Sequence, residues 1–348
     1  MARVTLNSVA EQAGVSLATA SKVMNGRSDV KDSTRAMVQR AARELGYAPK
    51  RREPTDGPSV VIAFDALNNP YSLEILHGAT LAARRAGVDL VVTTMESRSG
   101  EDARALTKPW FREMADRGHG AVISVTAPVT AQHLAWSRDC SLPLLVIDPI
   151  TGEEESPLEG LVRISSTNWD GGRAATQHLL DLGHRRIGIA LGTEFSAPVR
   201  ERLHGYRSAL EQAGIEFDPA LVVGARYTFE EGRRAGRALL AELPEGTPAP
   251  TAIFATSDTI ALGILRTAFE LGLRVPDQLS VIGFDDTLLA SWTNPQLTVI
   301  KQPLFAMGQV AVERALALAK DPERFAMPFQ LETQVVTRES TAPAPTGA

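Results

Sequence analysis

The chain has a single cysteine in 348 residues, Cys140, which excludes an intrachain disulfide and any zinc site built from several cysteines. No apolar run approaches the ~20 residues that a helix needs to cross a bilayer. The opening MARVTLNSVAEQ lacks the unbroken apolar stretch of a secretory signal, so a cytoplasmic location without a membrane partner is expected. The six histidines form no H-x-H or H-E-x-x-H pair, and there is no G-x-x-x-x-G-K-[ST] loop, no G-x-S-x-G elbow and no strand-embedded G-x-G-x-x-G. No catalysis, cofactor or metal is therefore expected. His184, just after Gly183, reads as a stabiliser of a helix C-terminus.

What is present is a globular composition, with 44% hydrophobic and 22% charged residues. The length allows two or three domains at about 150 residues each. Charge is unevenly placed. Residues 1–52 carry ten Lys and Arg against four Asp and Glu, an excess of six positive charges, whereas the remainder is negative by eleven. A basic head on an acidic body points to a polyanion bound at one end.

Composition divides the chain further. The stretch APKRREPTDGPS (48–59) has three prolines and no large apolar side chain, and reads as a linker. Beyond it, the continuous apolar runs 60–64, 88–94, 120–125, 143–147, 186–191, 251–256 and 279–284 alternate with amphipathic segments that close on glycine. Such runs suit parallel strands covered on both faces, and the alternation predicts an α/β protein. Nearly 280 residues of it exceed one open sheet and imply two lobes with a cleft between them. The domains expected are a helix-turn-helix over 1–47, a linker over 48–59, a two-lobed body over 60–340 and a disordered tail over 341–348.

In the head, Thr5 is placed to cap a helix through Ala13 that turns Val9, Ala10 and Ala13 inward. Gly14 permits a tight turn, and Ser16 caps a second helix with Ala20, Val23 and Met24 inward. A third helix over about 32–45 repeats Val38, Ala42 and Leu45. This is a helix-turn-helix unit. Its second helix suits the major groove and turns Leu17, Ala18 and Lys22 outward.

These residues carry a resemblance. The pattern T-L-x-x-V-A-x-x-A-G-V-S-x-x-T-x-S-x-V-x-N, matched by Thr5, Leu6, Val9, Ala10, Ala13, Gly14, Val15, Ser16, Thr19, Ser21, Val23 and Asn25, resembles the head of the lactose-repressor (LacI/GalR) family. The resemblance implies double-stranded, near-palindromic operator DNA as partner, with Leu17, Ala18 and Lys22 at base-reading positions. Leu17 and Ala18 offer only apolar contact, for example to a thymine methyl, and Lys22 a donor to guanine. Ser16, Thr19, Ser21 and Asn25 would contact phosphate. Two departures stand out. The stretch Lys50–Pro58 contains Pro54 and no leucine, where the family has a hinge helix with a minor-groove leucine, so Arg51 and Arg52 are expected to contact the backbone or minor groove instead. Lys31 begins a helix where the family often has a small hydroxyl residue.

In the body, three strands end directly in aspartate: Phe64-Asp65, Ile147-Asp148 and Phe284-Asp285. Ligands of open α/β sheets bind beyond such ends. Each aspartate alone reads equally well as a helix cap, and the three together favour a pocket for a polyol or sugar. The segments NNPYSLEILHGA (68–79), RERLHGYRSAL (200–210), ATSDTIALGIL (255–265) and VPDQLSVIGFDD (275–286) resemble the family's sensor body, itself similar to periplasmic sugar-binding proteins. The resemblance implies effector contacts from Asp148, Arg202, Ser257 and Asp285, an aromatic wall at Tyr227, and Tyr71 and Ser72 approaching from the other lobe. Ser257 stands where the family often has asparagine. Asp65, Trp169, Trp292 and Gln302 are weaker candidates, Gln302 as a reporter of lobe closure. A homodimeric repressor released by a small neutral sugar, a pentose or plant-wall oligosaccharide, is expected, and the absence of a C-terminal leucine heptad argues against a tetramer. A corepressor-dependent regulator and a sugar transport receptor are the alternatives.

Overall fold

The computed structural model describes residues 5–24, 30–45, 59–95, 106–150, 160–193, 196–224, 226–244, 246–321 and 328–345. The chain divides into two compact units, Met1–Asp56 and Gly57–Ala348.

The smaller unit has three helices, α1 (Leu6–Gln12), α2 (Leu17–Met24) and α3 (Asp32–Glu44). Thr5 caps α1 in a reciprocal box with Ser8, and the left-handed turn at Gly14 leads into α2. Val9, Ala10, Ala20, Val23, Val38, Ala41 and Ala42 form the core, with Ala13 and Leu45 packed against it. Small residues suffice because three short helices approach closely. Lys31, at the start of α3, gives no side-chain cap. Asn25, Arg51, Arg52 and the expected linker from residue 48 to Pro58 lie outside the described residues.

The larger unit holds two six-stranded sheets. The first lobe runs β1 (Ser59–Phe64), α4 (Pro70–Ala86), β2 (Asp89–Thr94), α5 (Lys108–Asp116), β3 (His119–Val125), α6 (Ala131–Asp139), β4 (Leu144–Ile147) and β5 (Val162–Ser166). The chain then enters the second lobe with α7 (Asn168–Asp181), β6 (Ile187–Leu191), α8 (Ala197–Gln212), β7 (Val222–Gly224), α9 (Phe229–Leu240), β8 (Ala252–Ala255), α10 (Asp258–Glu270), β9 (Ser280–Asp285), α11 (Leu288–Trp292) and β10 (Thr298–Lys301). Helix α12 (Leu304–Lys320) and β11 (Phe329–Leu331) return to the first lobe, and β12 (Gln334–Val336) to the second. The strand orders are β11-β5-β4-β3-β1-β2, all parallel, and β12-β10-β9-β8-β6-β7, antiparallel only at β12.

Every apolar run named above is a strand, and the central ones are buried on both faces, as helices on either side of each sheet require. The chain crosses between lobes at Thr167, at Gln302–Pro303 and at Glu332–Thr333. Thr167 N donates to Leu331 O at 2.8 Å and Thr333 N to Thr167 Oγ1 at 3.0 Å, which ties two crossings together.

One expectation is corrected here. The tail is not free through residue 345: Ala344 N donates to Leu182 O at 2.8 Å, Ala342 N donates to Ser280 Oγ at 3.0 Å, and Thr341 Oγ1 hydrogen-bonds His178. These contacts order a stretch whose composition alone suggests disorder. His184 is buried at the centre of the same region, with Nδ1 on Thr251 Oγ1 at 2.9 Å and Nε2 on Ser280 Oγ and Ala342 O. Its ring fastens the C-terminal strap, while its backbone N donates to Leu179 O at 3.1 Å and closes the C-terminus of α7.

Candidate functional site

Each helix that follows a strand in an α/β layer starts beside that strand's carboxyl end. Here the N-caps of five such helices, Asn69, Ser196, Thr228, Ser257 and Thr287, all line one cavity of about 340 Å3 between the lobes. The cap preference for Asn, Ser and Thr thereby rings the cavity with small polar side chains. Asp65, Tyr71, Ser72, Asp148, Arg202, Tyr227, Ser257 and Asp285 also face it, so eight of the sequence candidates converge.

Asp148, at the end of β4, is buried, and its backbone sits in the left-handed region at φ 45°. Thr126 (φ 50°) and Asp285 (φ 113°) are strained likewise at the ends of β3 and β9. Such conformations persist where surrounding structure enforces them, and they cluster at functional sites. Tyr71 Oη donates to Asp148 Oδ2 at 2.5 Å, and Ser165 Oγ donates to Oδ1. Burial raises the Asp148 carboxyl above its ordinary range, against the opposing effect of those two bonds and of Arg202. The same burial raises Tyr71 well above 10, so its hydroxyl stays a donor.

Arg202 is only 3% exposed. Its Nε donates to Asn168 Oδ1 at 2.8 Å and its Nη1 to Thr256 O at 2.6 Å, while the guanidinium lies 3.7 Å above the Phe284 ring. Nη1 stands 4.0 Å from Asp285 Oδ1. That planar, stacked fork is held rigidly, as an arginine at a recognition site requires. Asp285 accepts from Gln302 Nε2 at 2.6 Å, and burial pushes its carboxyl up to about 7 despite Arg202 and Gln302. Asp258 behind it accepts from Thr287 N and Oγ1, keeps Oδ1 without a partner among the described residues, and is raised by burial and by Asp285.

Tyr227 forms the aromatic wall. A Cβ on Gly192 would fall 2.3 Å from its Cε1 and Cζ, so the ring lies flat against backbone that only glycine leaves open. Ser257 Oγ accepts from Ile260 N at 3.2 Å and is engaged as the cap of α10. Ser72 Oγ is buried without a partner among the described residues.

Three weaker candidates stand apart from the cavity lining. Trp169 is 40% exposed on α7 and Trp292 73% exposed on α11; both point outward, because an aromatic identity carries no information on which helix face it occupies. Gln302 is buried at a crossing, where Ser166 Oγ donates to its Oε1 at 2.6 Å. Sequence reasoning missed Asn68, Thr126, Thr193, Ser196, Arg226, Thr228, Thr259 and Thr287 in the lining, and Asn168, Ser165 and Thr256 behind it. The capping signature marks Ser196, Thr228 and Thr287; no pattern marks the others.

In the smaller unit, α2 exposes Leu17, at 49%, together with Ala18 and Lys22. Ser16 Oγ accepts from Thr19 N at 3.1 Å and lies 2.8 Å from Thr19 Oγ1, so both hydroxyls secure the start of the helix. Ser21 is half-buried.

Residues 5–50 match the family model of bacterial regulatory proteins of the lacI family, and residues 176–341 match a periplasmic binding protein-like domain. A ribose operon repressor of Haemophilus influenzae is 32% identical over 340 residues, covering 97% of this chain and 98% of the relative. Among solved structures, a complex of the transcriptional regulator CelR with cellobiose aligns with a TM-score of 0.72 at 31% identity, covering 97% of this chain and all of the other. A lac repressor dimer bound to operator and an anti-inducer aligns with a TM-score of 0.69 at 29% identity, over 98% of this chain and all of the other.

Proposed function

The chain belongs to the LacI family of DNA-binding transcriptional regulators, and from that premise we propose that it is a homodimeric, cytoplasmic repressor that leaves its operator when a neutral sugar enters the cleft. The observation that carries the sugar reading is the buried set of Asp148, Asp285 and Arg202 inside a cavity ringed by hydroxyl-bearing caps. Carboxylates accept hydroxyl donors, the guanidinium fork donates to vicinal oxygens, and the Tyr227 face suits the apolar side of a sugar ring. Two carboxyls against one guanidinium disfavour an anion. The ribose and cellobiose in the names of relatives support sugars as the class.

On the DNA side, α2 enters the major groove, with Leu17, Ala18 and Lys22 on base edges and Ser16, Thr19, Ser21 and Asn25 toward phosphates. Arg51 and Arg52 add backbone or minor-groove contact. A two-fold dimer implies a near-palindromic operator. For release, the sugar must bind the DNA-incompetent arrangement more tightly.

Fluorescence anisotropy on DNA from upstream of the protein's own gene, at one stated salt concentration, tests this with a panel of neutral sugars. Release by one sugar is the expected result. Tightening by a ligand makes the protein corepressor-dependent, and DNA binding indifferent to every sugar removes the pocket reading while keeping the head.

A further inference from the structure

The cleft is graded in burial. Ser72, Asp148, Arg202, Ser257 and Asp285 form an inner end, none more than 7% exposed. Asp65, Asn68, Arg226, Tyr227 and Thr228 form an exposed rim. Both ends are polar: the inner one sets two carboxyls against one guanidinium, and the rim carries one acid, Asp65, and one base, Arg226, so neither end favours an anion. The 340 Å3 between them equals about eleven water molecules at ~30 Å3 each. A single pentose or hexose ring is smaller than the drug-sized ligands that pockets of ~300 Å3 and above enclose, which leaves either the inner acids or the rim in water. Within the inner end, the buried Ser72 hydroxyl lacks a partner among the described residues, and native structures rarely leave such a group unsatisfied unless a ligand or water serves it. At the rim, the free face of Tyr227 offers a platform for a ring that the inner end does not enclose.

Resting on the sugar reading above, we propose that the effector is a neutral disaccharide. One ring is held by Asp148, Arg202 and Asp285, and the second sits at the rim beside Asn68, Arg226 and Tyr227.

Isothermal titration of the full-length protein with xylobiose, cellobiose and maltose, each beside its own monosaccharide, tests this. One disaccharide is expected to bind at least about tenfold more tightly than its monosaccharide, a gap of 1.4 kcal/mol. N68A and R226A are each expected to shrink that ratio severalfold, with circular dichroism verifying the fold. A monosaccharide that binds as tightly as its disaccharide, with the ratio unmoved in both variants, overturns the two-ring assignment and leaves the sugar reading standing. Preference for a uronate or sugar phosphate overturns the neutrality. Binding of no saccharide by folded protein removes the sugar reading and the disaccharide with it.

Discussion

Arg202 shows how much one side chain can be asked to do. Its Nε and Nη1 are engaged by Asn168 and Thr256, its face covers Phe284, and it neighbours Asp285. Truncation leaves buried acceptors and a carboxyl without their partner, so R202A is expected to lose about 3 kcal/mol of stability and all response to the sugar. R202K keeps charge without the planar fork and should recover stability better than response. Urea denaturation beside a sugar titration separates the two; an R202A protein that still responds would remove Arg202 from the site. Asp285 adds a pH dependence. Its folded value of about 7 exceeds the ordinary 3.8, so the folded state retains a proton that the unfolded chain releases. The stabilisation is complete below the unfolded value and disappears as pH rises through about 7. D285N, which cannot titrate, is expected to flatten the fall in urea midpoint between pH about 4 and about 7. An unchanged slope would place its origin elsewhere, with Asp258 or Asp148.

At the level of elements, helix ends connect sequence to site most directly. Thr5 and Ser8 close a reciprocal cap on α1, and T5A is expected to cost about 1 kcal/mol. Hydrogen exchange within the full chain reads this as faster exchange of α1 amides, with the α10 amides as an internal reference. Equal protection would mean that packing on α3, including the 3.1 Å bond from Gln12 to Glu44, holds α1 without its cap. The same logic explains what was legible in the sequence. Strands β1, β3, β4, β8 and β9 are continuous apolar runs because both faces are covered, and the aspartates that end β1, β4 and β9 mark the cleft. Strands β5 and β10 were not legible: VRISS and TVIK mix polar residues that the crossings use, such as Ser165 and Ser166 toward Asp148 and Gln302. Strands β7, β11 and β12 have three residues each, too few for any period. The buried network of Asn168, Thr256 and Gln302 was equally hidden, because hydrogen-bond partners 34 to 136 residues apart leave no local pattern. Tyr227 lines the cavity and Trp292 does not. The first lies just before the cap of α9, at a strand-to-helix turn facing the cleft, whereas the second closes a short outward helix.

Across the whole larger unit, pocket and crossings form one hydrogen-bonded system. From Tyr71 the bonds run through Asp148, Ser165 and Asn168 to Arg202, which joins the first lobe to the second. A parallel path runs from Ser166 through Gln302 to Asp285. A sugar engaging Asp148 and Asp285 would therefore act on groups bonded to the crossings, and Gln302 offers one route for a change in lobe angle. Linkage sets a strict condition on the outcome: the factor by which sugar weakens operator binding equals the factor by which operator weakens sugar binding. Q302A removes the bonds to Ser166 and Asp285 while leaving Arg202 and Tyr227 in place. If the crossing transmits the signal, Q302A should shrink both factors equally, by about five- to tenfold, a typical share of a 1–3 kcal/mol coupling. Its sugar affinity without DNA should fall much less than that of R202A. Anisotropy at saturating sugar and calorimetry at saturating operator measure the two factors independently. Equal factors of wild-type size would mean that the signal crosses at Thr167 and Thr333, whose hydroxyls lie 3.1 Å apart beside the backbone bonds that already tie these two crossings together.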